Sequence, residues 1–165
     1  MEKTSADFLA KMIRDETTIY SYYARPKHFT SGGVSQTSAE WLEALSNYGI
    51  RRIVSVYMKG GLKPILLSGD IQEIPHLFNH RVFSLPLKFT FIGKKNSLLI
   101  LHEGWTFSNI AVAFLAKLRK TNYILMPHGV YEPEIVKLIK FSKIRSSFEK
   151  WVLNNALFVH IFFKG

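Results

Sequence analysis

The run Leu98-Leu99-Ile100-Leu101 ends abruptly at His102-Glu103-Gly104-Trp105. An unbroken apolar run of strand length is what a parallel strand buried on both faces needs. The same change recurs twice. Thr18-Ile19-Tyr20-Ser21-Tyr22-Tyr23 leads to Gly32-Gly33-Val34, and Tyr123-Ile124-Leu125-Met126-Pro127 leads to His128-Gly129. In a parallel α/β sheet these polar breaks fall at the carboxyl ends of strands, the edge along which ligands bind. Three breaks on one edge argue for a pocket more than for any single residue.

Helical periodicity fills the intervals. Phe8, Leu9, Met12 and Ile13 predict a helix over Ser5–Arg14. Ala39, Trp41, Leu42 and Leu45 predict another over Gln36–Tyr48, stopped by Gly49. An alanine-rich helix is expected over Ser108–Arg119, with further helices over Pro133–Ile139 and Ser146–Asn155. β-Branched and aromatic runs predict strands at Thr17–Tyr23, Arg52–Tyr57, Ser97–Leu101, Tyr123–Met126 and Leu157–Phe163, with shorter ones at Ile65–Ser68 and Arg81–Ser84. Arg25–Gly33 reads as a loop and Lys59-Gly60-Gly61 as a turn, while Gly69–His80 and Leu87–Asn96 carry no clear pattern. Strands alternating with helices predict βαβ units in a mostly parallel sheet.

Composition narrows the function classes. A length of 165 residues suits one domain with a real core, and 14% aromatic content argues against disorder. The absence of cysteine excludes disulfides, thiolate metal sites and cysteine nucleophiles. A net charge of +10 favours anionic partners. Lys137, Lys140, Lys143, Arg145 and Lys150 gather much of that charge beside Phe141, Ile144, Phe148 and Trp151. Such a segment suits an anionic membrane surface or a phosphate backbone, or it is a solvated helix face over a core. The first residues carry acids without an apolar secretory core, and no apolar run approaches the roughly 20 residues of a bilayer span. The expected setting is therefore cytoplasmic.

Each polar break has its own chemistry. Gly32-Gly33 lets backbone approach a ligand closely, with a helix N-terminus beyond it for an anion. A tight turn needing positive φ accounts for the same glycines. Neither the G-x-G-x-x-G fingerprint nor the P-loop pattern is present. His102, Glu103, Trp105 and Asn109 bring an imidazole, a carboxylate, an indole and an amide into one connection. That mixture suits a sugar, whose C–H face packs on an aromatic ring while polar atoms read its hydroxyls. The alternative is a helix cap from Ser108 with Trp105 plugging the core. His102 and Glu103 also offer an acid–base pair, although neighbouring strand residues point to opposite faces. His128 follows its strand directly; with His102 it falls short of a metal ligand set.

The ordered series Gly32-Gly33-Val34, Leu101-His102-Glu103-Gly104-Trp105 and Met126-Pro127-His128-Gly129-Val130-Tyr131-Glu132-Pro133, followed by the basic helix ending Phe148-Glu149-Lys150-Trp151, resembles the N-terminal half of bacterial retaining glycosyltransferases of the GT-B, group 1 type. The resemblance covers roughly Thr17 to Phe158 and lies in the combination of the three stretches. It implies a Rossmann-like α/β fold with helices on both faces, one domain over residues 1–165, and nucleotide-sugar-dependent hexosyl transfer in polysaccharide or glycolipid synthesis. By position, Gly32 and Gly33 would approach the donor diphosphate or the acceptor, and His128 would reach the transferred sugar as the catalytic residue. His102, Glu103, Trp105 and Asn109 would line the acceptor side. No metal or other cofactor is implied; the donor substrate would be a nucleotide-diphosphate sugar. The family also needs a facing donor-binding domain. The chain stops on Val159-His160-Ile161-Phe162-Phe163-Lys164-Gly165, inside an apolar run, so it is expected to be truncated before that domain by a frameshift, a split gene or a chosen end; a separate donor-binding chain would then supply the other half, and this half alone is expected to be inactive. The implied acceptor is a sugar or a lipid-linked sugar, and the implied place of the protein is the cytoplasm or the inner membrane face. The competing reading is a non-enzymatic basic α/β module for nucleic acid or anionic lipid, although no nucleic-acid motif is recognisable.

Overall fold

The computed structural model describes residues 5–14, 16–25, 32–61, 69–78, 80, 83–128 and 142–160. In chain order the elements are α1 (Ser5–Arg14), β1 (Thr18–Tyr23), α2 (Gly32–Asn47), β2 (Arg52–Met58), β3 (Asp70–Ile74), β4 (His76–Leu77), β5 (Leu85–Pro86), β6 (Ser97–His102), α3 (Phe107–Leu118), β7 (Asn122–Met126), α4 (Ser142–Asn155) and β8 (Phe158–Val159). Six strands form one sheet in the order β3-β2-β1-β6-β7-β8, and every pairing is parallel. The short β4 and β5 pair antiparallel beside it. The strand order reverses between β1 and β6. This is the α/β, Rossmann-like arrangement, with a topological switch point at its centre.

Alternation along the strands sends side chains to two cores, because successive strand residues face opposite sides. Tyr20, Tyr22, Leu99, Leu101, Tyr123 and Leu125 pack with Phe91 and Ile92 and with Val112, Ala113 and Ala116 of α3. Ile19, Ile53, Leu98, Ile100 and Met126 face the other way, onto Met12 of α1 and Leu42 and Leu45 of α2. The small Ala113 and Ala116 let α3 approach its core closely, and both are fully buried. On the α2 face an apolar cavity of about 620 Å³ opens toward β8, lined among others by Trp41, Leu98, Ile100, Met126, Phe158 and His160.

Local chemistry explains the element ends. Gly49, at φ 97°, closes α2: its N–H donates to the Ser46 carbonyl, and the Ile50 N–H donates to that of Leu45. This is the paired hydrogen bonding of a left-handed C-terminal cap. Thr106 caps α3 by accepting from the Asn109 N–H at 3.2 Å, so Ser108 does not cap it. The connection after β6 is two residues shorter than a Ser108 cap would make it.

Four places differ from the sequence expectation. Gly32 and Gly33 lie in the first turn of α2, which opens before Gln36, and they are not a loop. Glycine is a poor helix former because of its backbone entropy, which is why this turn reads as loop in the sequence. α4 begins at Ser142 rather than Ser146. β3 has no apolar run because it is an edge strand with Asp70, Ile71 and Glu73 exposed. In the Arg81–Ser84 region the strand residues are Leu85 and Pro86 instead. The expected strand at residues 65–68 and helix at 133–139 lie outside the described residues, as do 81–82 and 161–163.

Candidate functional site

Two polar side chains from neighbouring strands meet at the switch point. Ser21 of β1 and His102 at the end of β6 are each 2% exposed, and Ser21 Oγ lies 2.8 Å from His102 Nε2. The other ring nitrogen, Nδ1, lies 2.9 Å from Nε2 of His128, just past β7. The two imidazoles lie end to end, with centroids 5.2 Å apart and planes 22° apart, and Tyr23 meets His102 edge-on. Three adjacent strands thus deliver one linear hydrogen-bonded series, running from the buried sheet to the carboxyl edge. Burial first, then the neighbouring His128, pulls the His102 pKa down to about 3. Burial, then His160 and Arg25, pulls that of His128 down to about 4. Both rings are therefore neutral at pH 7, each with one donor and one acceptor nitrogen.

Beside this series runs a buried ion pair. Arg25, just after β1, contacts the Glu103 carboxylate through a guanidinium nitrogen, with both side chains at or below 7% exposure. Two charges so far from water hold only while each keeps its partner. His102 and Glu103 are thus not an acid–base pair: each is committed to a different neighbour. The Asn109 side-chain amide donates to the His102 and Glu103 carbonyls, 2.8 Å each, and ties α3 to the loop. Arg145 of α4 donates to the Trp105 carbonyl from the other side. Glu103, Trp105 and His128 have φ of 69°, 61° and 51°, the left-handed region that L side chains avoid. Strained non-glycine residues of this kind gather where function constrains the chain.

The opposite sheet face carries a second histidine series. Tyr22 donates through its hydroxyl to His76 Nε2 at 2.8 Å, while His76 Nδ1 donates to the Ile74 carbonyl at 2.8 Å. The carbonyl can only accept, so His76 is the Nδ1–H tautomer. Tyr22 is fully buried, and burial pushes its pKa upward. Consecutive residues of β1 therefore each contact a histidine, one on either side of the sheet.

The structure gathers His102, Glu103, Asn109 and His128 into one cluster, with Trp105 half-buried at its side. Gly32 and Gly33 stand in the first turn of the helix that follows β1. Sequence reasoning passed over Ser21 and Arg25. Their signals were a lone serine in an aromatic strand and an arginine directly after it. Gly61 reads in the sequence as a plain turn residue, although a Cβ there would lie 2.5 Å from the Arg25 carbonyl oxygen. Of the basic segment, Arg145 turns inward to the loop, Lys143 and Lys150 are exposed, and Lys137 and Lys140 lie outside the described residues. Among the described residues no helix is long and apolar enough to cross a membrane, and no group of three acidic or histidine side chains is placed to hold a metal ion. No protein-family model, curated protein or solved structure matches this chain significantly.

Proposed function

We propose that this domain is the acceptor-side half of a nucleotide-sugar-dependent glycosyltransferase of the retaining GT-B kind. The observation that carries the reading is the convergence of Ser21, Arg25, His102, Glu103 and His128 at the carboxyl edge beside the strand-order reversal, where open α/β sheets bind ligands. Trp105 supplies an aromatic surface for a sugar face at the same edge. In this reading His128 contacts the transferred sugar. The His102–Asn109 connection lines the acceptor side, and α2 turns its N-terminal end toward the diphosphate. The reaction then calls for a facing domain that holds the donor. Its transition state is oxocarbenium-like, stabilised by donors directed at the departing diphosphate. The acceptor is a sugar or a lipid-linked sugar.

The test has two arms. In the first, the domain is titrated with short oligosaccharides and a water-soluble lipid-linked sugar analogue while backbone amide shifts are followed by NMR. Shifts centred on residues 102–109 and His128, weakened in Trp105→Ala, are expected. The second arm measures turnover of UDP-, GDP- and ADP-sugars with and without a donor-binding chain encoded nearby. Transfer is expected only with that chain. Absence of any sugar response, or robust transfer by this domain alone, would sink the proposal.

A further inference from the structure

α3 is apolar on two opposite sides. Val112, Ala113 and Ala116 face the sheet core. On the side turned away from it, Phe107, Ala111, Phe114 and Leu118 follow one another at helical spacing, and no polar side chain interrupts the row. Phe114 is 53% exposed and Leu118 63%. A helix with water on one side carries polar residues there, and one that is apolar on both sides is ordinarily covered. Neighbouring elements widen the row into a patch. α4 runs beside α3 in the same direction: Arg145 reaches the Trp105 carbonyl, and further along both helices the rings of Trp151 and Phe114 lie 6.0 Å apart between centroids. Ile144, Phe148 and Trp151 share one row of α4, and the first two are exposed. At the start of α3, the exposed Phe83 stacks on Phe107 with centroids 5.0 Å apart. Single exposed apolar side chains are ordinary, but a contiguous patch marks an interaction surface.

The charge around the patch has one sign. Lys117 and Lys120 at the end of α3, and Lys143 and Lys150 on the row of α4 beside its apolar one, are all exposed. Over residues 83–128 and 142–160 the acidic side chains are Glu103 and Glu149, and both are buried. We propose that the α3–α4 face docks on an anionic bilayer surface. Phe107, Phe114, Leu118, Ile144 and Phe148 enter the boundary between headgroups and acyl chains, and the lysines reach from beside them to the lipid phosphates. Lysine suits that place because its stem lies along apolar surface while its ammonium stays in water. A second copy of the chain fits the face poorly, since it would set lysines against lysines. Phe107 directly follows Thr106 and Trp105, so docking brings the carboxyl edge of the sheet close to the lipid. The inference stands on the outer sides of two helices whatever the domain acts on. Within the sugar-transfer reading it selects a lipid-linked acceptor over a free sugar.

The experiment is flotation of the full chain with two kinds of vesicle, phosphatidylcholine alone and phosphatidylcholine mixed with phosphatidylglycerol, each at low and high salt. Binding is expected on the anionic vesicles and should fall as salt screens the lysines. Replacing Phe114 and Leu118 together by serine should weaken it at least about tenfold. Both side chains are more than half exposed, so the fold, checked by circular dichroism, should survive. Lys117→Glu and Lys150→Glu should each weaken binding at least about fivefold. Lys11→Glu, the same charge change on α1 across the sheet, should leave it near the wild-type level. Absence of binding at low salt overturns the proposal. So does binding that survives the double serine variant, or that Lys11→Glu weakens as much as Lys117→Glu. A lipid-free dimer in sedimentation velocity that the serine variant dissolves would give the face to a second copy, which also overturns it. Vesicle binding by a protein that transfers no sugar with any donor-binding chain would refute the transfer reading and leave this one standing.

Discussion

Acidification should unfold this domain through His102 and His128, and the size of the effect can be worked out. An unfolded histidine titrates near 6.5, whereas the folded values are about 3 for His102 and about 4 for His128. Folded values below the unfolded one mean that the unfolded chain binds more protons in the interval. Stability is therefore fully present above about pH 6.5 and falls as the pH drops toward the folded values. Between pH 7 and pH 5, the linkage integral gives about 2 kcal/mol for His102 and up to about 2 kcal/mol for His128. Together they remove up to about 4 kcal/mol, a large share of the roughly 5–15 kcal/mol typical of a native domain. The assay is urea denaturation followed by circular dichroism at pH 7, 6 and 5, on the wild type, His102→Gln, His128→Gln and the double variant. Each single variant is less stable at pH 7 but should lose about 2 kcal/mol less than the wild type on going to pH 5. The double variant should have the flattest profile. Parallel profiles for all four proteins would refute the claim that these two rings are buried neutral.

Arg25→Met leaves Glu103 buried without its cation and should cost about 3–5 kcal/mol, while adding Glu103→Leu should recover much of that loss; denaturant midpoints of the three proteins check both. Gly61→Ala pushes a methyl group against the Arg25 carbonyl and should lower stability by about 1–3 kcal/mol, read as a fall in Tm. Thr106→Ala removes the cap of α3 and should cost about 1 kcal/mol by denaturant titration, whereas Ser108→Ala should cost less if Thr106 is the cap.

The strands that pair at the centre of the sheet were legible because burial on both faces writes a continuous apolar run. Leu98–Leu101 and Tyr123–Met126 announce themselves in this way. β3 did not, because an edge strand with polar side chains toward water carries no such run. The start of α2 was hidden by its glycines, which are poor helix formers and read as loop. At the site, His102, Glu103 and His128 could be picked out from their places after strands. Their partners could not. Ser21 and His102 are 81 positions apart in the chain, and only the adjacency of β1 and β6 brings them together. The same holds for Arg25, whose buried carboxylate partner sits across the strand-order reversal. Contacts of this kind are a property of strand order, which local pattern does not encode.

The left-handed backbone at Trp105 and His128 bears on how this domain would respond to selection. Holding an L side chain there costs about 1–2 kcal/mol per residue that glycine would not incur. A library randomised at these two positions and sorted only for thermal resistance should therefore drift toward glycine. Sorted for ligand retention, the same library should hold its indole and its imidazole. Where the two enriched populations part company, the chain has kept an uncomfortable shape for the sake of what it touches.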